Sequence, residues 1–490
     1  MTRFFEILPG ALAWSTLVLV IVFSRVLPSF VSIFIILFDI YWLLKTIYLS
    51  LHLRATFTAM KKNMKIDWAE RLRRIPRSQD LYHLIILPMY KEPYEVVRES
   101  FETILGAHYP KDRFIVVLAT EEQGGKEAQE TAKKIEKEFG DAFFKFLAIT
   151  HPAGLPEEIP GKGSNETWAG KEVKRLVVDP LGLDYKKILV SVFDVDTQVF
   201  PEYFGRLAYV FLTSEKPLRA IYQPVPLFTN NIYRAPALAR VVSFSATFWQ
   251  MMQQSRPERL TSFSSQSIPF QVLVDIGFWN TDIVSEDSRI FWQCFLHYGG
   301  DFRVEPLLYP VSMDANVAPT FWGTMKNIYK QQRRWGWGVE NIPYMLDGFR
   351  KNPNISPAQK RYWTFNVLEG FHSWATNSLM IFVLGWLPLA LGGKSFNYTL
   401  LSYNLPQVTR YIVTISMIGV MSSAVLAILL LPPRPSWFKP KHYLVYFLEW
   451  ILIPITINVF GALPGLEAQT RMMLGGKFRL GFWVTPKHRA

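Results

Sequence analysis

The chain has 490 residues, half of them apolar and only 19% charged, which excludes a disordered chain, where low hydrophobicity and high net charge go together. At about 150 residues per domain the length allows two to four domains. A single cysteine, Cys294, excludes a disulfide-built scaffold. The net charge of +13 on so apolar a chain points to a membrane protein with its charge on one side rather than to a soluble nucleic-acid binder.

Residues 7–23 and 30–51 are two apolar runs joined through Arg25 and Pro28, each close to the roughly 20 residues a helix needs to cross lipid. They predict a helical hairpin, and no cleavage site follows the first run. Asp39 and Lys45, inside the second run, are expected near helix ends or paired with a neighbour. Eight basic residues from Arg54 to Arg77, opposed by Asp67 and Glu70, place the following segment in the cytoplasm by the positive-inside bias. Anionic headgroups are the simplest partner for that cluster, and no nucleic acid is expected.

From about residue 78 to 345, strand-like runs at 83–87, 114–119, 144–149 and 188–193 alternate with helix-like stretches at 94–107, 126–139 and 166–178. This alternation predicts a mostly parallel sheet with helices on both faces, and such sheets bind ligands beyond the C-terminal ends of their strands. No GxxxxGK phosphate loop, CxxC pair or HExxH helix occurs.

Three groups of residues could carry chemistry. Asp194 and Asp196 end the fourth strand; two residues apart on an extended chain they point the same way, and two carboxylates suit Mg2+ or Mn2+, although a polar turn after a buried strand has the same appearance. Ser285-Glu286-Asp287 opens a helix expected over 288–298, with Ser285 as N-cap, acids in the first turn, and Asp287 a candidate general base. Gln331, Arg334 and Trp335 share one helical face, with Arg333 pointing elsewhere; amide, guanidinium and indole can grip a diphosphate and a sugar ring, while an amphipathic core helix is the plainer account.

Apolar runs follow at 371–391, 412–431 and 443–463. The loop holding Arg434, Lys439 and Lys441 is basic, and so is the tail with Arg471, Lys477, Arg479, Lys487 and Arg489. Both are cytoplasmic only if the last run does not cross, and its Glu449, Pro454 and Asn458 suggest an interfacial helix. The expectation is four spanning helices plus that one, with five spans as the alternative.

In order and rough spacing these pieces resemble the membrane-embedded family 2 glycosyltransferases, notably the cellulose synthase catalytic subunit, and are similar to hyaluronan and mannan synthases. Pro88-Met89-Tyr90-Lys91-Glu92 resembles the donor motif after their first strand, and Lys162-Gly163-Ser164-Asn165 the Lys- and Asn-bearing loop near the donor. Asp194 and Asp196 match the DxD, Ser285-Glu286-Asp287 the Thr-Glu-Asp motif, and Gln331 to Trp335 QxxRW. Phe482-Trp483-Val484-Thr485-Pro486-Lys487 matches the FxVTxK gating loop, which lies on the cytoplasmic side in that family. Where the family carries its first Asp, after the second strand, this chain has Thr120-Glu121-Glu122, and Glu121 is the chosen substitute. The chain also ends soon after the gating motif, without the further spanning helices of cellulose synthase.

The resemblance implies a GT-A-like, Rossmann-like domain (78–345) between an N-terminal hairpin (1–53) with a basic juxtamembrane segment (54–77) and C-terminal helices (346–463), ending in a cytoplasmic tail (464–490). It implies an inverting, metal-dependent enzyme, multi-pass in the plasma (inner) membrane, which moves a sugar from a UDP- or GDP-sugar onto a growing β-linked polysaccharide. Pro88, Tyr90, Glu92, Glu121, Lys162, Asp194 and Asp196 would hold the donor, with Asp194 on the nucleotide side and Asp196 as metal ligand. Asp287 would be the base, with Glu286 beside it in the catalytic pair. Gln331, Arg334 and Trp335 would hold diphosphate and acceptor, and Phe482, Val484, Thr485 and Lys487 would close over them. An accessory export subunit or a second copy is the protein partner to consider. The alternatives are single transfer to a polyprenyl phosphate or lipid, and an inactive membrane scaffold or export subunit. The intact Asp196, Asp287 and QxxRW face count against the scaffold.

Overall fold

The computed structural model describes residues 2–486; Lys487 of the proposed gating loop lies outside them. The two N-terminal apolar runs are helices Thr2–Val26 and Pro28–Asn63, separated by Leu27 alone. Pro28 sits at the start of the second helix, where its missing N–H breaks no hydrogen bond. Leu19, Phe30, Leu37, Leu44 and Leu51 point outward, as on helices whose surroundings are lipid. Lys45 donates to Glu369 at 2.6 Å and Asp39 accepts from Thr409 at 3.2 Å, so both in-run charges have partners on neighbouring helices.

Among the described residues, four helices are long and apolar enough to cross a membrane: Thr2–Val26, Pro28–Asn63, Leu400–Leu429 and Pro440–Leu474. A fifth span is made if Pro357–Phe382 and Leu384–Leu391, bent by 47°, count as one. Pro388 lies just past the bend and, without an N–H, breaks the helical ladder there. The run expected to be interfacial thus passes a length test for spanning. Glu449 pairs with Arg240 near its beginning, and Ala468 abuts Gly336 near its end.

The sheet has eight strands in the order β3-β2-β1-β4-β7-β6-β8-β5. Strands β1 (Tyr82–Met89), β2 (Phe114–Glu121), β3 (Lys145–His151) and β4 (Ile188–Val192) pair in parallel, with Ile85 opposite both Val116 and Ser191. All eight residues of β2 are buried, because helices cover both faces of this half. Tyr94–Leu105 and Gly125–Phe139 cover one face, contributing Phe101 and Ile135 to its core. Lys162–Val173 and Glu286–His297 cover the other through Ala169, Val173, Ile290 and Phe291. The GT-A-like α/β architecture between two sets of apolar helices is as expected.

The second half of the sheet is less parallel than the sequence suggested. Strands β6 (Ala220–Phe228) and β8 (Arg303–Met313) run parallel to each other, while β5 (Gln198–Val199) and β7 (Ser267–Pro269) are antiparallel to their neighbours. Pro224 and Pro226 in β6, and Pro306 and Pro310 in β8, argue against strands on sequence grounds because proline removes a ladder donor. The register shift between Gln223 and Val225 lets the pair continue past them.

Candidate active site

The C-terminal ends of β1, β2 and β4 converge on one edge. Pro88 is still within β1, opposite Ala119. After it the chain turns, and the Glu92 carboxylate accepts from the backbone N–H of Tyr90 (2.7 Å) and Lys91 (3.1 Å). Gly124 passes so close to this turn that a Cβ there would lie 2.4 Å from the Tyr90 carbonyl oxygen. Glu121, at the end of β2, is buried; burial, and then the charge of Glu92, push its pKa up to about 7. Glu122 instead accepts from the N–H of Ala153.

Asp194 and Asp196 do not sit on an extended strand. Strand β4 ends at Val192, and a turn closed by the Thr197 N–H on the Asp194 carbonyl (2.8 Å) carries both acids. They engage different partners: Asp194 accepts from Ser264 Oγ (2.9 Å) and pairs with Lys162, whereas Asp196, fully buried, accepts from the Asp314 N–H (3.0 Å). Asn230 donates both to the Asp196 carbonyl and to Asp314 Oδ1. The alternation rule failed here because it applies only while the backbone stays extended.

The helix expected from 166 begins at Lys162, directly after Gly161. Lys162 Nζ lies 2.9 Å from Asp194, 2.8 Å from Asp287, 3.5 Å from Glu166 and 3.6 Å from Glu286. Burial opposes its charge, but attraction from Asp194, Asp287, Glu166 and Glu286 outweighs burial and lifts its pKa well above the usual value. Glu166 and Glu286 are each 1% exposed. Burial, and then the charge of Asp287, raise Glu286 to about 8 against the pull of Lys162; burial likewise raises Glu166 well above the carboxylate range. Glu286 is thus a buried carboxyl 3.6 Å from Lys162 whose surroundings favour the protonated form. Oxygens of Glu166, Glu286 and Asp287 lie within 4.8 Å of one another, but the ammonium already sits among them.

Asp287, in the first turn of Glu286–His297, has a side chain 23% exposed and is the accessible acid of its motif. Ser262 Oγ donates to its carbonyl at 2.5 Å. Ser285 precedes the helix but makes no capping bond. Its hydroxyl donates to Glu340 Oε1 at 2.5 Å, a charge-assisted bond.

Gln331, Arg334 and Trp335 lie on the helix Phe321–Gly336. Trp335 packs between Phe228 and Phe263, and Gln331 accepts from Asn316 (3.4 Å). The Arg334 guanidinium lies over the Phe482 ring, 5.2 Å from its centroid. Arg333, on another face, donates to Glu467 at 2.7 Å. The tail follows the same edge: Phe482 covers Gly161, Trp483 meets Lys330, Val484 is half-buried and Thr485 is buried.

Glu166, Ser262, Ser264, Asp314 and Glu340 were not anticipated from sequence. A signal existed for Glu166, one helical turn after Lys162 once the helix start is placed at 162; the others belong to loops or lie far along the chain.

A family model described as glycosyl transferase family group 2 matches residues 189–433, half of the 490, and the chain belongs to that family. No curated protein matches it. Similar solved structures include the mannosyltransferase PcManGT from Pyrobaculum calidifontis in complex with GDP-Man and Mn2+, at 12% identity and TM-score 0.43 over 78% of this chain and 99% of that one. S. aureus TarS 1–349 aligns at 10% identity and TM-score 0.36 over 81% and 93%. Its complex with UDP aligns at 11% and 0.37 over 83% and 95%.

Proposed function

We propose that this family 2 glycosyltransferase is inverting, faces the cytoplasm from the plasma membrane, and moves a sugar from a UDP- or GDP-sugar onto a growing β-linked polysaccharide. One observation carries the reading: a single ammonium, Lys162, bridges Asp194 in the turn after β4 and Asp287 at a helix N-terminus. Donor-side and acceptor-side acids therefore meet within one ion-pair network.

Glu121 would hold the base or ribose, and Lys162, Gln331 and Arg334 the diphosphate. The candidate metal ligands Asp194 and Asp196 offer only carboxylate oxygens, the donor set that Mg2+ or Mn2+ takes, and such a cation would neutralise charge developing on the leaving diphosphate. Once the diphosphate draws Lys162 away, Asp287 is freed to accept the proton of the acceptor hydroxyl as that oxygen attacks the anomeric carbon from the opposite face. One displacement inverts the centre. Trp335 supports the acceptor sugar, and Phe482 to Thr485 cover the donor, excluding water.

The test is nucleoside diphosphate release from a panel of UDP- and GDP-sugars, with lipid extract as acceptor source and Asp287→Asn as control. Loss of a general base costs about 100- to 10,000-fold, so the mutant should bind donor yet barely turn over. Turnover at the wild-type rate would sink the assignment. A second reading, single transfer to a lipid-linked acceptor, is favoured by the loop that carries Ser262. Three residues before it, Arg259 approaches Glu369 (3.8 Å), which Lys45 also holds, close to the apolar helices. Product size separates polymer from single addition.

A further inference from the structure

We infer that Glu340 is the positioning residue of the base, a role that rests on the reading of Asp287 above. Glu340 ends the tight turn Trp337–Glu340 that follows the helix of Gln331, Arg334 and Trp335. Its Oε1 accepts from the N–H of Val284 (3.1 Å), the N–H of Ser285 (2.8 Å) and Ser285 Oγ (2.5 Å), and its Oε2 from Trp337 Nε1 (2.9 Å). Four donors thus converge on this one carboxyl group, three on Oε1 and one on Oε2. The adjoining backbone extends the grip: Arg289 donates to the Glu340 carbonyl (3.1 Å) and to Asn341 Oδ1 (2.7 Å), and Asn341 Nδ2 donates to Ser288 Oγ (2.8 Å).

Residues 284, 285, 288 and 289 are therefore bonded to residues 340 and 341, and Asp287 is carried between them. A carboxylate fits this place better than an amide, because it accepts at both oxygens and its bonds are charge-assisted. The arrangement also accounts for a hydroxyl at 285, which serves as a donor to Glu340 instead of a cap. Its consequence is that the helix gripping diphosphate and acceptor and the acid taking the proton move as one body, so alignment of the acceptor is alignment with its base. Neither Glu340 nor Ser285 touches substrate in this account.

The experiment uses the full chain in nanodiscs with Glu340→Ala, Glu340→Gln, Ser285→Ala, the double variant Ser285→Ala/Glu340→Ala, and Asp287→Asn. Turnover, donor affinity by calorimetry, melting temperature and hydrogen exchange at Val284 and Ser285 are read on each. Misplacing a reacting group by about 1 Å costs on the order of 100-fold, so Glu340→Ala should lose about that much in kcat while donor affinity holds. Glu340→Gln, which keeps one carbonyl acceptor for the loop, should recover part of the loss, and the double variant should be no worse than Glu340→Ala. Exchange at Val284 and Ser285 should rise in Glu340→Ala whether or not turnover is measurable. If Glu340→Ala does not fold, the same non-additivity is read from Ser285→Ala, Glu340→Gln and their double variant. Unchanged exchange, additive losses, or wild-type kcat in Glu340→Ala beside a dead Asp287→Asn would overturn the role of Glu340 alone. An active Asp287→Asn would instead overturn the base.

Discussion

Replacing Gly161 with alanine tests whether the tail is docked over the donor loop. Gly161 has φ +153°, and a Cβ there would lie 2.6 Å from Phe482 Cγ, 2.8 Å from Cδ1 and 3.0 Å from Cβ. Carbon atoms prefer separations of about 3.5–4.0 Å, so the ring must retreat by about 1 Å. Overpacking of this kind costs about 1–3 kcal/mol, which raises the undocked-to-docked ratio about fivefold to on the order of 100-fold. Trypsin cleavage after Lys477 or Arg479 reports the undocked population when opening is fast relative to cleavage, and for a mostly docked tail its rate should rise by the same factor. Gly481→Ala is the control, since among the described residues nothing lies within 4 Å of its added carbon. If the tail also closes over the donor, kcat falls in parallel. Cleavage of Gly161→Ala at the wild-type rate would refute the docking argument. Faster cleavage with full turnover would refute closure but not docking. Loss of donor affinity with the tail still protected would mean that the Lys162 loop, not Phe482, gives way.

Two further predictions concern the charges. Glu121 is buried with its pKa raised to about 7 from 4.5, so the folded state keeps a proton that the unfolded chain releases. The stability this provides is complete below about pH 4.5 and is lost as pH rises through about 7, a change of about 3 kcal/mol at 1.36 kcal/mol per pKa unit. Glu121→Gln should remove that slope, so its melting temperature should gain on wild type between pH 5 and pH 8; parallel melting curves would count against a buried, raised Glu121. Lys162→Met withdraws the ammonium that Asp194, Asp287, Glu166 and Glu286 share, and breaking a buried pair from one side costs about 3–5 kcal/mol. Its melting deficit should be larger at pH 8 than at pH 6, where protons replace the missing cation, and a deficit that does not vary with pH would show that packing rather than charge holds the cluster.

The amino-acid sequence alone determined the parts of this protein whose environment is uniform along the chain. Strands β1 to β4 were legible to within two residues: β1, β2 and β4 are buried on both faces and read as short apolar runs, while β3, at the sheet edge, is partly exposed. The hairpin helices were legible because lipid demands apolar residues all round. Motif order was legible too, which brought Asp194, Asp287 and Gln331 forward as candidates. Strands β6 and β8 were hidden by prolines that a register shift accommodates. Ser285 was assigned a local cap because its true acceptor, Glu340, is 55 residues away. The turn after β4, the ammonium joining residues 125 apart, and the raised pKa values of Glu121, Glu166 and Glu286 were decided by tertiary structure only. Periodicity reports what a residue's near neighbours bury, whereas bonds and charges that meet across crossovers depend on strand order and register, which no local pattern encodes.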